Sequence, residues 1–118
     1  MLDRVSALEP HVNAFATLAA DQARQSAQAA ERAVTRGDPL GPLHGVPVTI
    51  KENIDQAGCA TVNGVAAFRD VIADTDSPVV ANWRKAGAVF IGRTNTPAFS
   101  HRWFTDNALH GQTLNPLD

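Results

Sequence analysis

The first third of the chain carries apolar residues at helical spacing. Residues 2–8 have an apolar side chain at every third position and predict a short helix. We expect this helix to stop at the Glu9-Pro10 pair, because the residue before a proline is pushed out of the helical region. The following run 12–18 fits either a helix or a strand, and we interpret it as an extended segment.

The most regular pattern is the alanine-rich run 21–36. It contains neither glycine nor proline, and its apolar residues recur every three or four positions, which predicts an amphipathic helix. Asp21 is the predicted N-terminal cap. Gly37 can adopt the left-handed conformation that ends a helix, and the proline at position 39 prevents its continuation.

The middle of the chain predicts a β-α-β unit. Residues 46–51 are apolar and β-branched, as expected of a strand buried on both faces. Because proline cannot donate to a β-ladder, Pro47 is expected at the first position of the strand or on an edge. The run Asp76-Ser77-Pro78 supplies a cap residue and a proline for the first turn of a short helix over 78–86, and an apolar strand follows over 88–92. A parallel pairing of the two strands is the default for such a unit, so we predict an α/β fold. Residues after Arg93 are predicted to be irregular.

Composition excludes several classes of protein. The 118 residues are 44% hydrophobic and 19% charged with a net charge of −2, which is typical of a globular chain and gives no basic surface for nucleic acid. No apolar run is long enough to span a bilayer, and residues 1–9 do not resemble a signal peptide. With Cys59 as the single cysteine, we expect a cytoplasmic protein that binds neither membrane nor nucleic acid.

Candidate chemistry lies where the two predicted strands end, over residues 51–55 and 93–100. Open α/β sheets bind ligands at the carboxyl ends of their strands. Lys51 ends an apolar strand, and because burial disfavours the charged form of an amine, it is a candidate general base. On spacing alone, an ion pair of Lys51 with Glu52 or Asp55 is the simpler interpretation.

Other catalytic groups have weaker support. Ser100 precedes His101, but the side chains of neighbouring residues in an extended segment point in opposite directions, which argues against a Ser–His pair. An enzyme built on Ser100, His101 and Asp106 is therefore the least favoured hypothesis. The four histidines lack metal-ligand spacing and an evident carboxylate partner, and we expect neither a metal nor a cofactor. His44 is predicted to order the turn before the first strand. Thr94 and Asn95 are predicted to bond local backbone.

Two long segments of the chain, 41–55 (GPLHGVPVTIKENID) and 87–100 (GAVFIGRTNTPAFS), resemble the amidase signature family in sequence and order. The similarity continues through 105–107 and 115–118. The resemblance implies an α/β/α sandwich around a mixed sheet and a Ser–cis-Ser–Lys triad that hydrolyses carboxamides through an acyl-enzyme. Lys51 matches the triad lysine, and a small-molecule amide is the implied substrate.

The family's Gly/Ser-rich segment, which carries both triad serines and the oxyanion loop, does not occur within residues 1–118. We therefore expect residues 1–118 to be a single incomplete domain, the N-terminal part of a bacterial amidase, and to be inactive alone. Within the family, the corresponding chains of tRNA-dependent amidotransferases usually carry an acidic residue where this chain has Ala98, so that alternative is disfavoured. Trp103 and Phe104 resemble the stand-alone amidases.

A different class of function is a short, non-catalytic binding or assembly module. A piece of a larger sandwich leaves strand edges unpaired and apolar surface uncovered. We expect such edges along 46–51 and 88–92, and through them self-association or a homo-oligomer.

Overall fold

The computed structural model describes residues 1–117, which form three α-helices and two small sheets. The helices are α1 (Leu2–Val12), α2 (Ala20–Arg36) and α3 (Pro78–Lys85), and the strands are β1 (Phe15–Leu18), β2 (Pro47–Lys51), β3 (Val89–Thr94), β4 (Asp106–Asn107) and β5 (Gly111–Gln112). Single 3₁₀ turns occur at Ala66–Phe68 and Ala98–Ser100. Asp118 lies outside the described residues.

The main sheet is mixed and has the order β1-β3-β2. β2 and β3 are parallel from Pro47 opposite Val89 to Lys51 opposite Thr94, which confirms the predicted pairing. β1 is antiparallel to β3 on its other side. The prediction of an unpaired edge along 88–92 is therefore wrong, because β3 has a partner on both sides. The outer edge of β2 has no strand partner within residues 1–117.

Burial follows this strand order. β3 is the most buried strand, with both apolar and charged residues enclosed. In β2, Ile50 alone is fully buried, at 1% exposure, while Pro47 is exposed at the first position as predicted. The prediction that 46–51 is buried on both faces is wrong, because Val46 and Pro47 are exposed and the residues other than Ile50 are at most half-buried.

The first helix continues past the predicted stop. α1 contains Pro10 and ends at Val12, where Asn13 adopts the left-handed conformation (φ 53°) and its N–H donates to the Glu9 carbonyl at 2.8 Å. The Glu9 carboxylate accepts a hydrogen bond from the Phe15 N–H at 2.7 Å. These capping contacts stabilise the last turn of α1. Pro10 removes only one backbone N–H donor from that turn, so the helix continues through it. Of the extended segment predicted over 12–18, only Phe15–Leu18 forms a strand, β1, because Val12 still belongs to α1 and Asn13 is left-handed.

The long helix forms as predicted, with one correction at its start. α2 begins after Ala19, which supplies no side-chain cap, and Asp21 lies inside the first turn, where it pairs with Arg24 at 3.1 Å. A carboxylate in the first turn still interacts favourably with the helix dipole. Gly37 ends the helix at φ 73°, as predicted.

A buried apolar cluster joins α2 to β3. Ala23, Val89 and Ile91 form its centre, and Leu2 and Phe15 pack against it. At Gly92 any larger residue is excluded, because a Cβ there would lie 2.4 Å from the Thr17 carbonyl oxygen of β1. No helix within residues 1–117 has the length and apolarity to cross a membrane.

The C-terminal part is more ordered than predicted. β4 and β5 form a small antiparallel hairpin in which Asp106 lies opposite Gln112 and Asn107 opposite Gly111. The pattern of apolar residues did not reveal it because both strands are only two residues long. This hairpin carries side chains of the site described below.

The predicted cap of α3 is confirmed and gives a stability prediction. The Ser77 Oγ accepts the Val80 N–H at 3.4 Å, and Pro78 occupies the first turn. Ser77→Ala removes this acceptor and is expected to lower the free energy of unfolding by about 1 kcal/mol, measured by urea denaturation. Ser26→Ala, on the exposed face of α2, is the control and is expected to cause no loss. An equal loss in both variants would contradict the capping role.

Candidate active site

Lys51 lies at the edge of the sheet where β2 and β3 both end. It is the last residue of β2 and pairs with Thr94, the last residue of β3. The side chain is half-buried. No residue within 1–117 forms an ion pair or hydrogen bond with its ammonium group. The structure therefore presents an amine at the strand ends without a protein partner in the described part of the chain.

The ion pairs predicted for Lys51 from spacing do not form, because both carboxylates have other partners. Asp55 accepts a hydrogen bond from the Thr61 hydroxyl at 2.6 Å. The Glu52 carboxylate lies 3.0 Å from His110. Charge spacing along the sequence favoured an ion pair of Lys51 with a neighbouring carboxylate. In the fold, these carboxylates contact residues farther along the chain, Thr61 and His110.

Asn95 and Thr96, directly after β3, are buried and connect the strand to the hairpin. The Asn95 Oδ1 accepts hydrogen bonds from the Thr96 N–H (2.9 Å) and from the Asn107 Nδ2 (2.7 Å). The Asn95 Nδ2 donates to the Gly111 carbonyl and to the Thr113 hydroxyl, each at 3.2 Å. The prediction of local bonding thus covers only one of these contacts. The others fix β4 and β5 against the end of β3.

Ser100 is placed near the end of β2 but has no catalytic partner among the described residues. Its Oγ lies 2.9 Å from the Thr96 Oγ1 and accepts a hydrogen bond from the Asn53 Nδ2 at 3.1 Å. His101 instead packs edge-on against Phe99. The separation of Ser100 from His101 agrees with the expected absence of a Ser–His pair.

Three charged residues lie near the strand ends: Glu52 and Arg93 fall within the predicted segments 51–55 and 93–100, whereas His110 falls outside both. Glu52 and Arg93 are each 4% exposed, and His110 is partly buried on the β4–β5 turn. Arg93 Nη2 donates to the carbonyls of Glu52, Ile54 and Ala60 at 3.1–3.2 Å, and so holds the loop after β2. The position of a charged residue directly after the predicted strand 88–92 was the available signal for Arg93.

The prediction that the histidines lack a carboxylate partner is wrong for His110. Its Nε2 lies 3.0 Å from the Glu52 Oε2. Burial raises the pKa of the Glu52 carboxyl above its ordinary value of 4.5, while the nearby His110 and Arg93 oppose that rise. His44 orders the turn before β2, as predicted, through a 3.0 Å contact of its Nε2 with the Ala30 carbonyl.

The possible metal-ligating side chains of the described residues are dispersed. Within residues 1–117, no three or more His, Cys, Asp or Glu side chains are grouped to hold a metal ion. Cys59 is a free, half-buried thiol. The polar groups described at the strand ends are the Lys51 amine, the side chains of Asn95, Thr96 and Ser100, and the Glu52 carboxylate.

Comparison with known proteins identifies the class to which this fold and site belong. The family model described as Amidase matches residues 1–118. The chain therefore belongs to the amidase signature family, as the sequence resemblance implied. The mixed sheet and flanking helices match the N-terminal part of solved amidase-signature structures.

Individual relatives support the assignment. The chain is 54% identical over 117 residues to the indoleacetamide hydrolase of Bradyrhizobium diazoefficiens, covering 99% of this chain and 22% of the relative. It is 35% identical to the A-type subunit of glutamyl-tRNA(Gln) amidotransferase from Heliobacterium modesticaldum, covering 98% of this chain and 24% of the relative. The crystal structure of a bacterial aryl acylamidase matches with a TM-score of 0.89 and 32% identity, over 99% of this chain and 25% of that one. The chain thus spans about a quarter of the length of these proteins.

The raised pKa of Glu52 predicts a pH dependence of stability. A carboxyl that holds its proton more tightly when folded stabilises the folded state below pH 4.5, and that contribution is lost as the pH rises through the folded-state pKa. Between about pH 4 and neutrality, the free energy of unfolding is expected to fall relative to that of Glu52→Gln, measured by urea denaturation at each pH. Glu31→Gln, on the exposed face of α2, is expected to follow the parent chain. A parent chain that gains stability over Glu52→Gln as pH rises would contradict this.

Proposed function

We propose that this chain supplies the general-base lysine, Lys51, to an amidase that hydrolyses carboxamide C–N bonds. The observation that carries the proposal is the position of Lys51: half-buried, at the shared carboxyl end of β2 and β3, and without a partner for its ammonium group within residues 1–117. Membership of the amidase signature family makes a lysine in this position the candidate triad base.

In the proposed mechanism the Nζ of Lys51 accepts a proton that originates on a nucleophilic serine and is relayed through the serine of a cis peptide bond. The serine oxygen attacks the amide carbonyl, and the proton is returned to the departing amine as the C–N bond breaks. Water then attacks the acyl-enzyme by the same proton route, releasing the acid and restoring the serine. Neither serine belongs to residues 1–118, so both come from the remainder of an amidase fold.

The small-molecule substrate is proposed from the relatives. Indoleacetamide is the first compound to test, because the relative that is 54% identical over 117 residues is an indoleacetamide hydrolase. The alternative, the A-type chain of an amidotransferase, has lower identity, 35%, and Ala98 stands where an acidic residue is usual in such chains. We also propose a cytoplasmic location, with no cofactor required.

A hybrid enzyme tests the role of Lys51. Residues 1–117 replace the matching segment of the Bradyrhizobium diazoefficiens hydrolase, and hydrolysis of indoleacetamide is measured. Lys51→Met is expected to lower kcat by at least about 100-fold, because the general base is lost. Lys85, the other lysine of the chain, is exposed on α3, and Lys85→Met is the matched control that keeps full activity.

The 118-residue chain alone gives the complementary measurement. It is expected to hydrolyse no amide and to show no covalent labelling by a fluorophosphonate probe, because it lacks both triad serines. Labelling of Ser100 would contradict the proposed division of the triad. Retained activity in the Lys51→Met hybrid would contradict the role of the lysine itself.

Self-association is a second candidate property, favoured by the open edge of β2 and by exposed apolar side chains that include Trp103, Phe104 and Leu117. An open strand edge pairs readily with a second chain, and a charged side chain introduced beside that edge opposes such pairing. The isolated chain is expected to sediment as a concentration-dependent oligomer. Val46→Lys, beside β2, is expected to shift it toward monomer, whereas Val34→Lys, on the exposed face of α2, is not. A parent chain that stays monomeric at all concentrations would rule this out.

A further inference from the structure

Glu52 and His110 form a buried pair that the proposed proton relay does not use. The Glu52 Oε2 and the His110 Nε2 are 3.0 Å apart, within ion-pair distance but without hydrogen-bond geometry, and neither atom has a hydrogen-bond partner among residues 1–117. When the carboxylate is ionised, the contact requires the proton of the imidazole to be on Nε2. Enclosing both groups is costly unless each satisfies the other, so the pair needs a structural or functional explanation.

Glu52 is held from three directions directly beside Lys51. Its N–H donates to the Thr94 carbonyl at 3.0 Å, which extends the β2–β3 ladder by one residue. Its carbonyl accepts a hydrogen bond from the Arg93 Nη2 at 3.2 Å. The contact of its carboxylate with His110 completes the set. The peptide unit that joins Lys51 to Glu52 is therefore fixed at the end of an otherwise open edge strand.

His110 is anchored independently of Glu52. The Asn107 Oδ1 accepts the N–H groups of Leu109 and His110, both at 2.9 Å, and forms the turn between β4 and β5. The Asn13 Nδ2 donates to the His110 carbonyl at 2.6 Å. The Asn107 Nδ2 ties the turn to the Thr96 carbonyl at 2.8 Å. The imidazole is thus presented to Glu52 by a turn whose own contacts come from other segments.

We propose that Glu52 and His110 are positioning residues, which hold the end of β2 so that Lys51 stays at the distance needed for proton transfer. The inference rests on the proposed function of Lys51. The Lys51 side chain has no hydrogen bond of its own within residues 1–117, so its placement depends on the backbone that carries it. A displacement of about 1 Å at a catalytic group can cost about 100-fold in rate.

The hybrid hydrolase tests this inference. Glu52→Ala and His110→Ala are each expected to lower kcat by about 10- to 100-fold while KM changes less than about twofold, because substrate contacts are unaffected. Glu52→Gln keeps an oxygen that can accept the His110 Nε2–H, and is expected to regain most of the activity. The double alanine variant is expected to lose little more than either single variant, because both remove the same contact.

Glu52→Asp covers the case in which an alanine variant does not fold. It keeps the charge but shortens the side chain by one methylene, so we expect a kcat reduced by about 10-fold in a folded protein. Glu31→Ala and His11→Ala, both exposed, are the matched controls and are expected to keep full activity. Circular dichroism and melting temperature give the folded fraction by which each kcat is normalised.

The results separate this inference from the proposed function. Loss of activity in Lys51→Met with unchanged kcat in the Glu52 and His110 variants overturns the positioning role and leaves the function of Lys51 standing. Equal losses in Glu52→Ala and Glu52→Gln also overturn it, because the conservative variant retains the contact. Activity retained in Lys51→Met overturns the proposed function itself.

Discussion

The parallel pairing of β2 with β3 is the constraint on which the candidate site depends. It places Lys51 opposite Thr94, so the loops after both strands leave the sheet at the same edge. β3 lies at the centre of the sheet and pairs with β2 on one side and with β1 on the other. Gly92 is required for this arrangement, because a side chain there would collide with the carbonyl of Thr17. A slip of one residue between β2 and β3 would turn Lys51 toward the opposite face.

The site itself is organised by polar contacts more than by apolar packing. Asn95 and Asn107 connect the end of β3 to the hairpin, and Arg93 satisfies three carbonyls of the loop after β2. Hydrogen bonds of this kind are strong in a buried setting and leave few alternative arrangements. This explains how a chain with a small apolar core can still hold its strand ends in one geometry.

Much of this arrangement follows from local sequence. The apolar runs predicted β2 and β3, Ser77 and Pro78 marked the start of α3, and Gly37 marked the end of α2, because each of these signals acts within a few residues. Lys51 was found by its place at a strand end. Glu52 and His110 were missed as a pair because their contact depends on a hairpin with two-residue strands. The bond from Asn13 to the His110 carbonyl spans 97 positions, a distance at which periodicity carries no information.

The strand end that carries Lys51 is ordered by contacts within residues 1–117. The radius of gyration is 15.4 Å, whereas a compact domain of this length has about 13.5 Å, so the chain is extended and its apolar surface is partly uncovered. The strand ends are nevertheless bonded within residues 1–117, through the contacts of Glu52, Asn95 and Asn107. The entropy of ordering the lysine's backbone is therefore lost when this chain folds and not when substrate binds. On our proposal, that preorganisation is what residues 1–117 contribute to catalysis besides the amine itself.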